Sequence, residues 1–358
     1  MRCGFEDPFP CLEKDMPDRA MPVIDEFVFR GLHPSVALGT ASDRYAGWIG
    51  QIYTPGRYEE RTSKRRHVVG RDSFMEEVLP VESVREYFDH FEVLEIDYTF
   101  YGLLLASDGT PTQTYRVLES YARQLRAGDR LLLKVPQLIF ARRIKRGKEY
   151  SENQAYLDPE AFTHLFYGPA LELLGQNLRG FIFEQEYHRS SERGRPEEIA
   201  EALDTFFKAL PRDERYHVEL RTESYLSEPL FDTLERHGVG QVLSHWTWLP
   251  PLGRQFALAG KRFFNAGRQC VIRLMTPLGV RYEDAYAKAY PFDKLVEGML
   301  QPLMVEEAAA IMREAAGKGV TANVIINNRA GGNAPLIARQ VAQRFLALSP
   351  PSGRSSNG

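Results

Sequence analysis

Charged and amide side chains recur at the ends of short apolar segments of this chain. The run Val218-Glu219-Leu220-Arg221 carries two opposite charges two residues apart. In a strand, positions i and i+2 leave on one face, so Glu219 and Arg221 point one way and Val218 and Leu220 the other. Charges on an otherwise buried strand are costly unless they meet partners. The same layout returns in VLEID (Glu95, Asp97), LLLKV (Lys134), CVIRL (Arg273) and NVIINN (Asn327), with Glu184 near the end of GFIFEQ. These strands are expected to surround one polar centre. Within it, Glu95 and Glu219 suit an acid and a base, and Lys134 would lower a neighbouring carboxylate's pKa or bind an anionic group. Arg221 and Arg273 carry the planar fork that grips a carboxylate or phosphate with two hydrogen bonds. The competing reading is a polar plug in which these groups simply pair with one another.

The sharpest local signal is Asn327-Asn328-Arg329-Ala330-Gly331-Gly332-Asn333-Ala334-Pro335. Gly331 and Gly332 would let the backbone approach a ligand closely. Asn333 suits a helix N-cap, and Pro335 the first helical turn. Free amides there favour an anion. The alternative is a plain tight turn between strand and helix. Asp97, Tyr101, His245 and Trp246 lie near other strand ends and complete the expected substrate-binding surface with Arg221, Arg273, Asn327, Asn328, Gly331 and Gly332.

Basic residues gather in three loops, each following a strand. The first holds Arg57, Arg61, Lys64, Arg65, Arg66 and Arg71; the second Arg142, Arg143, Lys145, Arg146 and Lys148; the third Arg189, Arg193 and Arg195. A basic rim would steer anions to the mouth it surrounds. Trp246 and Trp248 follow the sixth strand and could stack on a base or sugar. Solvated loops and core tryptophans are the bland alternative. A multi-zinc site needs many histidines and carboxylates at one mouth. Only His188 and His245 fall at strand ends, with His67 in a loop, so no metal is assigned, although one divalent ion held by carboxylates would fit. Cys270 begins a buried strand and reads as core rather than nucleophile, and no GxSxG is present.

The elements that must position these groups alternate. Expected strands are Ser35–Thr40, Val93–Tyr98, Arg130–Pro136, Gly180–Gln185, Tyr216–Arg221, Val239–Ser244, Cys270–Leu274 and Thr321–Asn327. Expected helices include Glu82–Phe91, Thr112–Leu125, Pro159–Leu174, Glu197–Leu210, Glu228–His237, Val305–Lys318 and Ala334–Leu348. No GxGxxG follows a strand, which argues against a dinucleotide-binding half. Strands alternating with helices imply an α/β fold with a parallel sheet. Eight such units predict a closed (β/α)8, TIM-barrel-like domain over residues 31–348, with long insertions in its βα loops. It should be irregular after strand six, where no clear helix follows. Residues 1–30 are Pro-rich and read as a surface extension, and 349–358 as a disordered tail.

Composition sets outer limits. The chain has 358 residues with a net charge of −3, so no global basic field demands nucleic acid. Three cysteines without a CxxC suit a reducing cytoplasm. No apolar run reaches the roughly 18 residues that a membrane span needs.

Taken together, LGTASDRYAGWIGQIYTP, FEVLEIDYTFYG, LLLKVP, HVELRTESY, VIRL and INNRAGGNAP resemble, in order, the motifs of the DUF72 (YecE-like) family. They extend over about residues 35–348. The chain departs from the family pattern in Asp97, where asparagine is usual, in Glu186 in place of a proline, and in Arg329 where histidine is common. The resemblance implies a TIM-barrel-like fold and an activity that is not established. The resulting expectation is a cytoplasmic barrel that binds a small anionic ligand, phosphate- or carboxylate-bearing, at the C-terminal mouth, with hydrolase or lyase chemistry. The alternatives are a nucleic-acid-binding or processing protein that uses the basic rim, and a non-catalytic binding scaffold.

Overall fold

The computed structural model describes residues 26–146 and 149–348. The first 25 residues, the tail from residue 349, Lys148 and the side chains of Lys145 and Arg146 lie outside the described residues, as do Cys3 and Cys11.

Short apolar segments become the staves of a cylinder. They are β1 (Val36–Ala41), β2 (Val93–Ile96), β3 (Arg130–Lys134), β4 (Leu178–Glu184), β5 (Tyr216–Glu219), β6 (Gly240–His245), β7 (Gln269–Leu274) and β8 (Thr321–Ile326). Each pairs in parallel with its sequence neighbour, and β8 pairs with β1 to close the barrel. Alternation along each strand then sorts the side chains. Leu38, Leu94, Phe183, Val218, Leu243, Ile272 and Val324 pack outward against the helices. Ala37, Val93, Leu132, Ile182, Val242, Val271 and Ile325 fill the interior. The interior is tight: a Cβ on Gly39 would stand 1.8 Å from the Val93 carbonyl oxygen.

Helices begin where the sequence offers caps. The Asp158 carboxylate accepts from the amides of Glu160 and Ala161 at 3.0 Å each. Thr112 Oγ1 accepts from Tyr115 N ahead of Gln113–Ala122. Gly238, at φ 63°, ends Glu228–His237 in the left-handed region.

Several boundaries differ from expectation. β2 and β5 stop before Asp97 and Arg221, which begin loops. The polar insertion after β1 is an antiparallel hairpin, Ser63–Val69 with Asp72–Val78. The basic segment after β3 holds a second hairpin, Arg143–Arg146 with Glu149–Glu152. A helix does follow β6, at Leu252–Leu258. It is two turns long and sits behind Pro250-Pro251, so its apolar period is too short to read. Its Gln255 amide is anchored on Ser244 N (3.1 Å) and Ser244 O (2.8 Å). The last residues of the expected surface extension are packed: Phe29 is buried against Phe91, and Arg30 pairs with Asp129 at 2.8 Å. Among the described residues no helix is long and apolar enough to cross a membrane.

Candidate functional site

The inward positions at the C-terminal ends of five strands bring six charges together. Arg273, on β7, reaches across the barrel. Its Nε and Nη2 donate to the two oxygens of Glu95 on β2, at 2.8 and 2.6 Å. Its Nη1 donates to Glu184 of β4 at 3.1 Å and to Glu219 of β5. Glu184 also takes Lys134 Nζ at 2.6 Å and Arg221 Nη2 at 2.9 Å. Arg221 Nε donates to Glu219 at 3.2 Å, so the two charges two residues apart do meet on one face. Three carboxylates face three cations, and the cluster is neutral.

Burial orders the cluster by depth. Glu95, Glu219 and Arg273 are 0% exposed. Lys134 and Arg221 reach the opening, with side chains 10% and 15% exposed. Each of these two lies over an aromatic ring, Lys134 on Phe100 at 4.2 Å and Arg221 on Trp246 at 4.8 Å. Trp246 is half-buried, and Tyr187 spans from it to the exposed Trp248, with 5.9 Å between centroids on each side. The solvent edge of the cluster is therefore cationic and aromatic, and below it lie the carboxylates with Arg273 among them.

The carboxyls titrate apart. Burial opposes ionisation of Glu184, yet Arg221, Lys134 and Arg273 together hold it below the ordinary range. Glu219 is lowered in the same way by Arg221 and Arg273. Burial dominates at Glu95 and pushes it up, against the pull of Arg273.

Several expected residues take other places. All four oxygens of Glu95 and Glu219 are engaged by guanidinium groups, which leaves none open to act as acid or base. Arg273 gives each of its three nitrogens to carboxylates and has no free fork for a ligand. The Glu95 and Glu219 carboxylates are thus neutralised by Arg221 and Arg273. His245 is out of phase with Ser244, whose Cα pairs with Arg273; its Nδ1 lies 2.8 Å from the Thr276 carbonyl, and burial lowers its pKa to about 4. A one-residue change of phase moves a side chain to the other face. Asp97 and Tyr101 border the opening, Asp97 half-buried and Tyr101 76% exposed.

The last loop also differs from expectation. Gly332, at φ 112°, would set a Cβ 2.3 Å from Lys294 O, and Gly331 lies against Leu300, so both glycines fit the chain to itself. The amides at the start of the helix Ala334–Leu348 are already capped. Ala334 N donates to Asn328 Oδ1 at 2.8 Å and Leu336 N to Asn333 Oδ1 at 2.9 Å. Asn327 Oδ1 takes Arg329 N at 3.0 Å.

Six of the eleven rim cations whose side chains are described pair with carboxylates. Arg57 meets Glu86 (3.3 Å), Lys64 meets Glu77 (3.3 Å), Arg65 meets Glu76 (2.7 Å), Arg143 meets Glu192 (2.6 Å) and Arg195 meets Glu198 (2.9 Å). Arg61 pairs with Glu82. Cys270 is buried and its thiol is pushed up to about 12.

Glu184, expected at a strand end beside the polar centre, joins three cations there. One residue at the mouth was not among those expected. Asp43, just beyond β1, is 2% exposed. Its Oδ1 accepts from Tyr121 at 2.8 Å, its Oδ2 has no partner among the described residues, and burial raises it to about 6. Nothing in the run ASDRYAG sets this aspartate apart from a loop residue.

The sequence matches the profile of DUF72, a protein family of unknown function, over residues 37–353. Among solved structures, a DUF72 family protein from Thermotoga maritima superposes with a TM-score of 0.52 at 13% identity, over 87% of this chain and 99% of the other. A second, from Enterococcus faecalis, has a TM-score of 0.52 at 16% identity, over 88% and 97%. At these identities the likeness bears on the fold alone. No curated protein matches the sequence.

Proposed function

Because the chain belongs to the DUF72 family, whose function is unknown, we propose on the site's own geometry that it binds a small anionic ligand, phosphate- or carboxylate-bearing, at the C-terminal mouth of the barrel. One observation carries this reading. The three carboxylates and Arg273 lie deepest, whereas Lys134 and Arg221 border the opening on aromatic shelves. An anion that docks there meets two cations whose own counter-charges lie beneath them, and water is partly excluded by Phe100 and Trp246. Charge-assisted hydrogen bonds in such a setting are roughly twice as strong as neutral ones. In this reading Glu95, Glu184 and Glu219 hold the cations in place, and Arg273 ties the carboxylates together. Hydrolase or lyase chemistry would need a proton-transfer group outside this set. The cytoplasmic location expected from the cysteines remains part of the proposal.

The nucleic-acid reading draws less support, since six of the rim cations that should hold phosphates are already matched by carboxylates of the same chain.

The test is thermal melting of the full chain with inorganic phosphate, sulfate and acetate. At a concentration near 100 times Kd, a ligand specific to the folded state adds about 2.7 kcal/mol. Arg221→Gln should abolish this protection while the unliganded protein still melts cooperatively. If no anion protects the wild type, the cluster is a structural plug.

A further inference from the structure

The turn after β8 holds two donors that nothing satisfies. It runs over Asn328–Ala330. Asn328 is 2% exposed, and its Oδ1 accepts from Trp48 Nε1 at 3.1 Å and from Ala334 N at 2.8 Å. Both partners are donors, which fixes the amide orientation and leaves Nδ2 to find an acceptor of its own. That Nδ2 is buried and has no acceptor among the described residues. The next residue repeats the pattern: Arg329 Nε is buried without an acceptor, and the guanidinium lies 4.4 Å above the Tyr282 ring. Among the described residues Arg329 has no carboxylate partner, unlike Lys134, Arg221 and Arg273. An unsatisfied buried donor is costly, more so when charged, so adjacent ones call for an acceptor.

The position adds chemistry. Tyr282 follows β7 and Arg329 follows β8. The loops after the seventh and eighth strands are where such barrels frequently seat a phosphate. Here the helix amides beyond β8 are capped by side chains, so the positive group available to an anion is the guanidinium. In the closed strand order β8 stands opposite β4, which is flanked by β3 with Lys134 and β5 with Glu219 and the adjoining Arg221. The mouth therefore carries cations on two opposite sides. Between them, the Tyr101 phenol feels the charges of both Glu184 and Arg329.

We infer that Arg329, with Asn328 Nδ2 beside it and Tyr282 beneath it, forms a second anion subsite, and that the ligand carries two anionic groups, one for each side of the mouth. This inference rests on the reading proposed above and names the ligand class more closely: a two-headed phosphate or carboxylate compound.

The experiment is calorimetric titration of the full chain with inorganic phosphate and with straight-chain alkane bisphosphates of graded length. One bisphosphate length should bind roughly 100-fold more tightly than phosphate, because the second head binds intramolecularly. Arg329→Gln should remove that gain and leave phosphate binding at Lys134 and Arg221 in place. Arg329→Lys should keep part of the gain, which separates lost charge from lost fold, and melting of the unliganded variants checks the fold directly. If phosphate binds but no bisphosphate length gains over it, or if the gain survives Arg329→Gln, the second subsite is overturned and the Lys134–Arg221 reading stands. If no probe binds the wild type, both fall together.

Discussion

The barrel has two polar ends, and they are built in opposite ways. At the N-terminal end the inward groups are Arg179, His217, Gln269 and Asn323. Arg179 Nε donates to Asn323 Oδ1 at 2.9 Å, and Asn323 Nδ2 to Cys270 O at 3.2 Å. His217 is fully buried, with Nδ1 3.1 Å from Arg215 O and Nε2 unpartnered among the described residues. Burial lowers both Arg179 and His217, the histidine to about 4. One arginine among neutral amides closes the floor. The C-terminal end instead holds six ionised groups that compensate one another, two of them at the solvent edge. Neutral hydrogen bonds suffice to seal a cylinder. A balanced set of charges next to an opening is costly to assemble and serves no sealing purpose that amides could not. The difference therefore accords with the proposal that the upper end is the working one.

The largest expected effect comes from the group that ties the upper end together. Arg273→Met leaves three buried carboxylates without their shared partner, and stability should fall by about 3–5 kcal/mol. Arg179→Met at the floor removes one hydrogen bond to a neutral amide and should cost about 1 kcal/mol. Urea midpoints of the two variants measure both; equal losses would erase the distinction between the ends.

A smaller effect separates the ends by pH. His217 has a folded pKa of about 4 against an ordinary 6.5. Its contribution is complete above pH 6.5 and is lost as pH falls through that interval, and buried His245 behaves likewise. Glu184 and Glu219 are lowered from 4.5, so their contribution is complete above pH 4.5 and lost below it. Glu95 is raised and acts in the opposite sense, favouring the fold below 4.5 and less so as pH rises through its raised value. Stability measured against pH should thus descend in two stages. His217→Gln should flatten part of the upper stage, the remainder belonging to His245, and Glu184→Gln only the lower one. A single acid limb unaffected by His217→Gln would contradict this division.

The smallest effect belongs to the rim. The Lys64–Glu77 pair is well exposed on both sides, and replacing both residues with alanine should change stability by under about 1 kcal/mol. A larger loss would mean that the hairpin carries structural weight comparable to the floor.

Much of this architecture was legible because a buried parallel strand has a strong signature. Short apolar runs alternating with helical periods gave all eight staves, most of them within two residues. The charge pairs on those runs pointed to the cluster, since a charge at an inward position of a barrel strand has nowhere to go except to another charge. Two kinds of information were hidden. One was partner choice: nothing in VIRL reveals that Arg273 turns to Glu95, Glu184 and Glu219 rather than to a ligand. The other was loop geometry. Gly331 and Gly332 look like a ligand-binding turn, yet their close neighbours are Leu300 and Lys294 of the same chain. Hairpins made of charged residues lack the apolar alternation by which strands are recognised, so the Ser63–Val78 hairpin read only as part of a long loop insertion.

That insertion has a directional consequence. Its Glu76 carboxylate holds His67 at 2.9 Å and is hydrogen-bonded by Tyr286 from the helix beyond β7, while Tyr290 donates to Met75 O at 2.7 Å. Phe74 packs against Tyr286 and Tyr290. The first and seventh units are thereby buttressed into a wall on one flank of the entrance. In the closed strand order the two braced units are the neighbours of β8, so the side of the entrance that carries Arg329 is held from both of its flanks.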